Sequence, residues 1–114
     1  MTGKDKIILQ KMRTYIDDIL QYIDEMSFDG FMADKKTLAA CAFTVSQIGE
    51  LAGGISDETQ KRHNHISWKS TRGMRNRIVH DYENIDLEVL WGTVTQGLPD
   101  LARKIDGILK RDEE

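Results

Sequence analysis

The sequence holds one cysteine, one proline and no long apolar run, and each shortage excludes something. A lone thiol, Cys41, has no intramolecular disulfide partner. No stretch approaches the roughly 18–20 apolar residues that a membrane-crossing helix needs, so no membrane association is expected. The opening residues, "MTGKDKIILQKMRTY", lack the apolar core of an export signal, and the expected location is the cytoplasm. Alternating strand patterns, internal repeats and low-complexity segments are missing too. So are a Gly-rich phosphate loop and any Ser–His–Asp logic; Gly53-Gly54 alone carries no such meaning.

What remains is the profile of one soluble globular domain over residues 1–114, with 39% hydrophobic and 31% charged residues. Cys41 lies in the apolar stretch "LAACAF", which predicts a small buried core residue. Helical periodicity dominates the rest. Ile8, Met12, Tyr15, Ile19, Tyr22 and Met26 recur at intervals of 4, 3, 4, 3 and 4, predicting an amphipathic helix over about 4–27. "SFDGF" breaks it. Asp34 is a candidate N-cap for a second helix with apolar face Leu38, Cys41, Ala42, Val45, Ile48, Ala52 and Ile55, stopped at Gly53-Gly54. Ser56-Asp57-Glu58 opens a short third helix to about His63, and Ser67 could cap a fourth over about 68–79.

The last helix is predicted over about 86–111. Leu87, Trp91, Val94, Leu98, Leu101, Ile105 and Ile108 follow intervals of 4, 3, 4, 3, 4 and 3. Pro99 interrupts the pattern but the stripe continues in register, which predicts a kink instead of an end. The expected fold is all-α, an antiparallel bundle of four to five helices. Apolar residues beyond the stripes (Ile7, Ile16, Leu20, Ile23, Leu90, Ala102, Leu109) leave two readings open: a wide core-facing surface, or a homodimer face.

Charge is the other uneven feature. Net charge is −3, yet the 22 residues between Glu58 and Asp81 contain no acid. They hold Lys61, Arg62, Lys69, Arg72, Arg75 and Arg77 and all three histidines. That segment carries +6, against −9 for the remainder (ten basic, nineteen acidic residues). An acidic whole argues against indiscriminate nucleic-acid binding, whereas a local basic patch suits a specific polyanion.

Within the patch, "RNRIVHDY" (75–82) places Arg75, Asn76, His80 and Tyr82 at short intervals. Five residues put Arg75 and His80 about 140° apart on an ideal helix, so they converge only if the helix unwinds near His80. For phosphodiester cleavage the residue types make sense. A 2′-hydroxyl must lose a proton and the 5′-oxygen must gain one, and a histidine can serve either transfer. An arginine can neutralise the charge that builds on the phosphorane oxygens, with two-point geometry. Neither task requires a metal. The residues alone also admit a blander reading, a His80–Asp81–Tyr82 turn whose polar groups satisfy one another.

The ordered set "QIGELA" (47–52), "ISW" (66–68), "GMRNRIVHDYENID" (73–86) and "LPDL" (98–101) resembles the HepT-like branch of the HEPN superfamily over about residues 5–110. The family signature, R-x-x-x-x-H-x-Y with Asn after the Arg, is matched here by Arg75, Asn76, His80 and Tyr82 without departure. The resemblance implies an all-α homodimer that brings two such motifs to one cleft. It also implies a metal-independent endoribonuclease, acting as the toxin of a toxin–antitoxin pair. Its partner would be a minimal nucleotidyltransferase that neutralises it by transferring AMP to Tyr82. By position, Arg75 and His80 would be the catalytic pair and Asn76 their hydrogen-bonding support. The substrate would be RNA, and AMP on Tyr82 would oppose it by charge and bulk.

Flanking residues carry less. Lys69, Arg72 and Arg77 extend a phosphate track or are ordinary solvated charges. Glu50 and Asp81 are candidate supporting acids, Glu50 by pairing with a motif arginine. His63-x-His65 with His80 lacks carboxylate or cysteine ligands at helical spacing, so neither a metal nor another cofactor is expected. Trp68 is read as a core anchor before a base-stacking surface. The rival function is a non-catalytic helical binding subunit for a nucleotidyltransferase.

Overall fold

The computed structural model describes residues 1–81 and 84–113. It is a helical bundle, as the stripes predict. The elements are α1 (Gly3–Tyr22), α2 (Phe28–Ala33), α3 (Lys35–Gly53), α4 (Asp57–Arg62), α5 (Trp68–Arg72) and α6 (Met74–Ile78), then strands β1 (Val79–Asp81) and β2 (Asn84–Ile85). Helix α7 (Leu87–Gly92), a π-helical turn (Thr93–Gly97) and α8 (Leu98–Glu113) complete it. Among the described residues no helix is long and apolar enough to cross a membrane.

Helix α3 is the axis of the bundle, packed along α1 on one side and α5 and α6 on another. Its core face is the predicted one: Cys41, Val45, Ile48 and Ala52 are fully buried, while Leu38 and Ala42 are half-buried at its edge. Asp34 caps it as expected, its carboxylate accepting from Thr37 N–H at 3.1 Å. Gly49 sits where α5 crosses. A Cβ there would lie 3.2 Å from the Arg72 carbonyl oxygen and 3.3 Å from that of Thr71. The missing side chain therefore sets how closely the α5–α6 segment approaches α3, which is why "QIGELA" reads as it does.

The boundaries depart from the sequence reading in four places. Helix α1 ends at Tyr22, not near residue 27, and Glu25 takes a positive φ of 62° in the turn that follows. Met26 still packs against the core from that turn, so the apolar repeat outlasts the helix. "SFDGF" is not a plain break. Ser27 caps α2, accepting from Gly30 N–H, and Phe31 buries itself against Trp91 with ring centres 4.8 Å apart. The expected helix 68–79 splits at Gly73 into α5 and α6, and Ser67 makes no side-chain cap.

The fourth departure is a short antiparallel ladder where no strand was expected. Val79 pairs with Ile85 and Asp81 with Asn84, with an irregularity between the two pairs. Strands of three and two residues are too short to show alternation in a sequence. Pro99 does not end the helix, as predicted. The π turn just before it accommodates the ring and the missing N–H, and the stripe residues Val94, Leu98, Leu101, Ile105 and Ile108 all remain buried. The extra apolar residues go mostly inward. Ile16, Ile23, Leu90 and Ala102 are buried and Leu20 and Leu109 pack on the core, whereas Ile7 is 54% exposed.

One buried carboxylate locks the chain's beginning to its middle. Asp5 is 1% exposed and accepts from Ser56 N–H (3.0 Å), Ser56 Oγ (2.5 Å) and Thr59 Oγ1 (2.7 Å). Burial alone would raise its pKa, but the hydrogen bonds from Ser56 and Thr59 outweigh burial and hold the carboxyl below its usual range. Asp5→Ala would orphan those donors and is expected to cost about 3 kcal/mol, a fall in Tm on the order of 10 °C. A depressed pKa stabilises fully above the unfolded value of about 3.9 and loses that contribution as pH falls through the folded value. The stability gap between parent and variant should therefore narrow below about pH 4. Equal melting temperatures at pH 7 would show that this clamp contributes nothing.

Candidate active-site groove

The site begins with a change of backbone. Helix α6 runs only to Ile78, whose side chain is buried, and Val79 is extended at φ −107° and ψ 108°. The unwinding removes the 140° separation that a continuous helix would impose. Asp86 N–H donates to the Ile78 carbonyl at 2.7 Å and closes the other end of the ladder. As a result Arg75 on α6 and His80 on β1, both exposed, line one groove together with Val79 and Ile85.

The facing wall is α3. Ala39, Ala42, Phe43 and Ser46 complete the groove, which has a volume of about 670 Å³. Their spacing of 3, 1 and 3 puts them on one helical face, rotated from the buried stripe of Cys41, Val45 and Ile48. Phe43 was not anticipated from the sequence. It is 62% exposed, the highest value among the large apolar side chains of the described residues. An aromatic residue displaced from the stripe of an amphipathic helix and flanked by alanines was the available signal.

Other candidates are dispersed. Asn76 is exposed on α6 and does not line the groove, although its N–H donates to the Gly73 carbonyl at 3.1 Å. Tyr82 lies outside the described residues, and of Asp81 only the backbone, in β1, is described. Arg77 is turned to a different cavity, of about 220 Å³, beside Ser70, Met74 and Lys104, and its Nη1 donates to the Ser70 carbonyl at 3.0 Å. Arg72 is exposed, its Nη1 donating to Gln60 Oε1 at 3.3 Å, and Lys69 is exposed on α5. Glu50 is exposed on α3 and, among the described residues, forms no ion pair with a motif arginine.

The remaining chemistry-bearing groups are placed elsewhere. His63 and His65 have ring centres 6.0 Å apart, and His63 lines a pocket with Arg62 and Arg111, away from the groove that holds His80. Burial, followed by the charges of Arg111, His65 and Arg62, lowers the His63 pKa. Trp68 is the core anchor that the sequence favoured. It is buried, and its indole N–H donates to the His63 carbonyl at 3.1 Å. Cys41 is buried one position from the groove-lining Ala42, and burial pushes its thiol up to about 11, so it is not a nucleophile near neutrality.

The groove thus presents one guanidinium, one imidazole and one open aromatic face. Comparison with known proteins places the chain in a family. The model of the Ribonuclease HepT-like family matches residues 12–108. A Thermococcus cleftensis protein named "Probable ribonuclease HepT" is 31% identical over 110 residues, covering 96% of this chain and all of the relative. Two proteins that carry RNase in their names are also similar. One, from Methanocaldococcus jannaschii, is 28% identical over 96% of this chain and 94% of its own. The other, from Caldanaerobacter subterraneus, is 26% identical over 89% of this chain and 96% of its own. No solved structure matches the chain. With the family model spanning all but the ends and a relative of equal extent, this chain belongs to the HepT-like ribonuclease family.

Proposed function

We propose that the chain is an endoribonuclease whose reaction centre is the α3–α6–β1 groove. The observation that carries this reading is the convergence of Arg75 and His80 on one open groove, in a member of a ribonuclease family. His80 takes the proton of an RNA 2′-hydroxyl, or returns one to the departing 5′-oxygen. The 2′-oxygen attacks the adjacent phosphorus, the bond from phosphorus to the 5′-oxygen breaks, and a 2′,3′-cyclic phosphate and a 5′-hydroxyl result. Arg75 stabilises the charge on the phosphorane oxygens, with Asn76 steadying the arginine-bearing turn. No step asks for a metal. A homodimer would present two such pairs to one RNA strand, and Lys69 and Arg72 would add attraction for its backbone.

We assign the protein, on the same reading, to the toxin side of a toxin–antitoxin pair. Its partner is a minimal nucleotidyltransferase, and its modification site is Tyr82, two residues beyond His80 in sequence. A phosphate attached there would oppose RNA by charge and bulk. The test is intact mass of the protein expressed alone and together with such a nucleotidyltransferase. One or more added AMP units localised to Tyr82, with RNA cleavage lost in proportion, are expected. A stable complex with no added mass, and cleavage still blocked, would replace modification by simple binding.

A further inference from the structure

We propose that Phe43 is the base-stacking wall of the groove, holding an unpaired base of the substrate beside the phosphate that Arg75 and His80 engage. The inference rests on the groove being an RNA site. Phe43 keeps 62% of its surface in water while its α3 neighbours Cys41 and Val45 are wholly buried. The side chains around it on the same helical face are small, Ala39, Ala42 and Ser46, which leaves the ring approachable from the cavity. The opposite wall supplies Arg75 and His80. A flat apolar surface, a guanidinium and an imidazole sharing about 670 Å³ complement a nucleotide, which joins a π-faced base to a charged phosphate. The Arg75 guanidinium beside the open ring favours a nucleotide, pairing with its phosphate where the ring meets its base.

Stacking is tolerant of base identity because every base has a π-face, so Phe43 would fix position more than sequence. Single-stranded RNA, with its bases free, fits such a wall; a duplex does not.

Three variants test it: Phe43→Ala, Phe43→Leu and Phe43→Trp, in the full-length chain. The probe is a short single-stranded RNA, 2′-O-methylated throughout so that it cannot be cleaved, followed by fluorescence anisotropy. The alanine variant is expected to raise Kd roughly ten- to hundredfold. Tryptophan should restore binding, with its fluorescence quenched on saturation. Leucine, equally apolar but without a π-face, should not. On cleavable RNA the alanine variant should raise KM more than it lowers kcat. Unchanged binding by Phe43→Ala, or full rescue by leucine, overturns the proposal. So does light scattering that shows Phe43→Ala monomeric where the parent is a dimer, which would make Phe43 an interface residue. If the parent binds the probe through Phe43 yet cleaves no RNA, the ribonuclease reading fails and this inference stands. Cleavage with Phe43-independent binding gives the reverse.

Discussion

His80→Ala is expected to reduce RNA cleavage by about 10²–10⁴-fold, the usual contribution of a positioned proton-transfer group. The fold should not change. His80 is exposed on β1, at the irregularity between the Val79–Ile85 and Asp81–Asn84 pairs, so its side chain is not part of the core. A surface change of this kind shifts stability by no more than about 0.5 kcal/mol, so the melting temperature should match the parent. On the proposed toxin role, growth arrest on expression should disappear with the activity. A folded His80→Ala protein that cleaves at the parental rate would remove His80 from the mechanism. The same result would favour the rival view, a binding subunit without catalysis of its own.

Arg75 should behave differently from a generic positive charge. Arg75→Ala is expected to lower kcat by about 10²–10³-fold, the scale seen when one donor to a developing oxyanion is removed. Arg75→Lys keeps the charge but loses the two-point fork, and should recover only part of the rate. Arg77 supplies the internal comparison. It lies two residues away in sequence but lines another cavity, so Arg77→Ala should act through RNA affinity and salt dependence, with kcat nearly unchanged. Equal losses from both arginines would mean that charge density, and not the groove, governs the reaction. Their separation is a direct consequence of helix geometry, since positions two apart face nearly opposite sides.

The helical architecture was legible because amphipathic stripes report burial. Ile8, Met12 and Ile19, and Val94 through Ile108, occupy the core as their periodicity predicts, whereas Tyr15 of the first stripe is half-buried and Tyr22 is exposed. Burial is not the same as helix, however, and that distinction accounts for the misplaced ends. Met26 keeps the stripe's rhythm from a turn, and Pro99 keeps it across a π-helical turn. Caps with a strong side-chain acceptor, Asp34 and Ser56, were readable from local sequence. Ser67 looked equivalent but makes no side-chain cap.

The groove was half legible. Arg75 and His80 stand in a short motif, and the need for the chain to unwind between them follows from helix geometry alone. That the unwinding would become a strand paired to residues 84–85 does not follow from segments so short. The other wall was invisible. Phe43 stands more than thirty positions before the motif, and only the packing of α3 against α6, which Gly49 allows by admitting α5 closely, brings it there. Core-directed reading of α3 also drew attention to Cys41 and away from its neighbour two residues on.

The central claim is that Arg75 and His80 form a centre for transesterification of RNA. Digestion by the purified protein in the presence of EDTA, with identification of product ends, tests it most directly. A matched substrate with a single 2′-deoxynucleotide at the cut site serves as its partner. Cleavage without metal, 2′,3′-cyclic phosphate and 5′-hydroxyl ends, and an intact 2′-deoxy strand are the predicted result. Cleavage that requires a divalent ion, leaves 5′-phosphates or proceeds equally on the 2′-deoxy strand would contradict it.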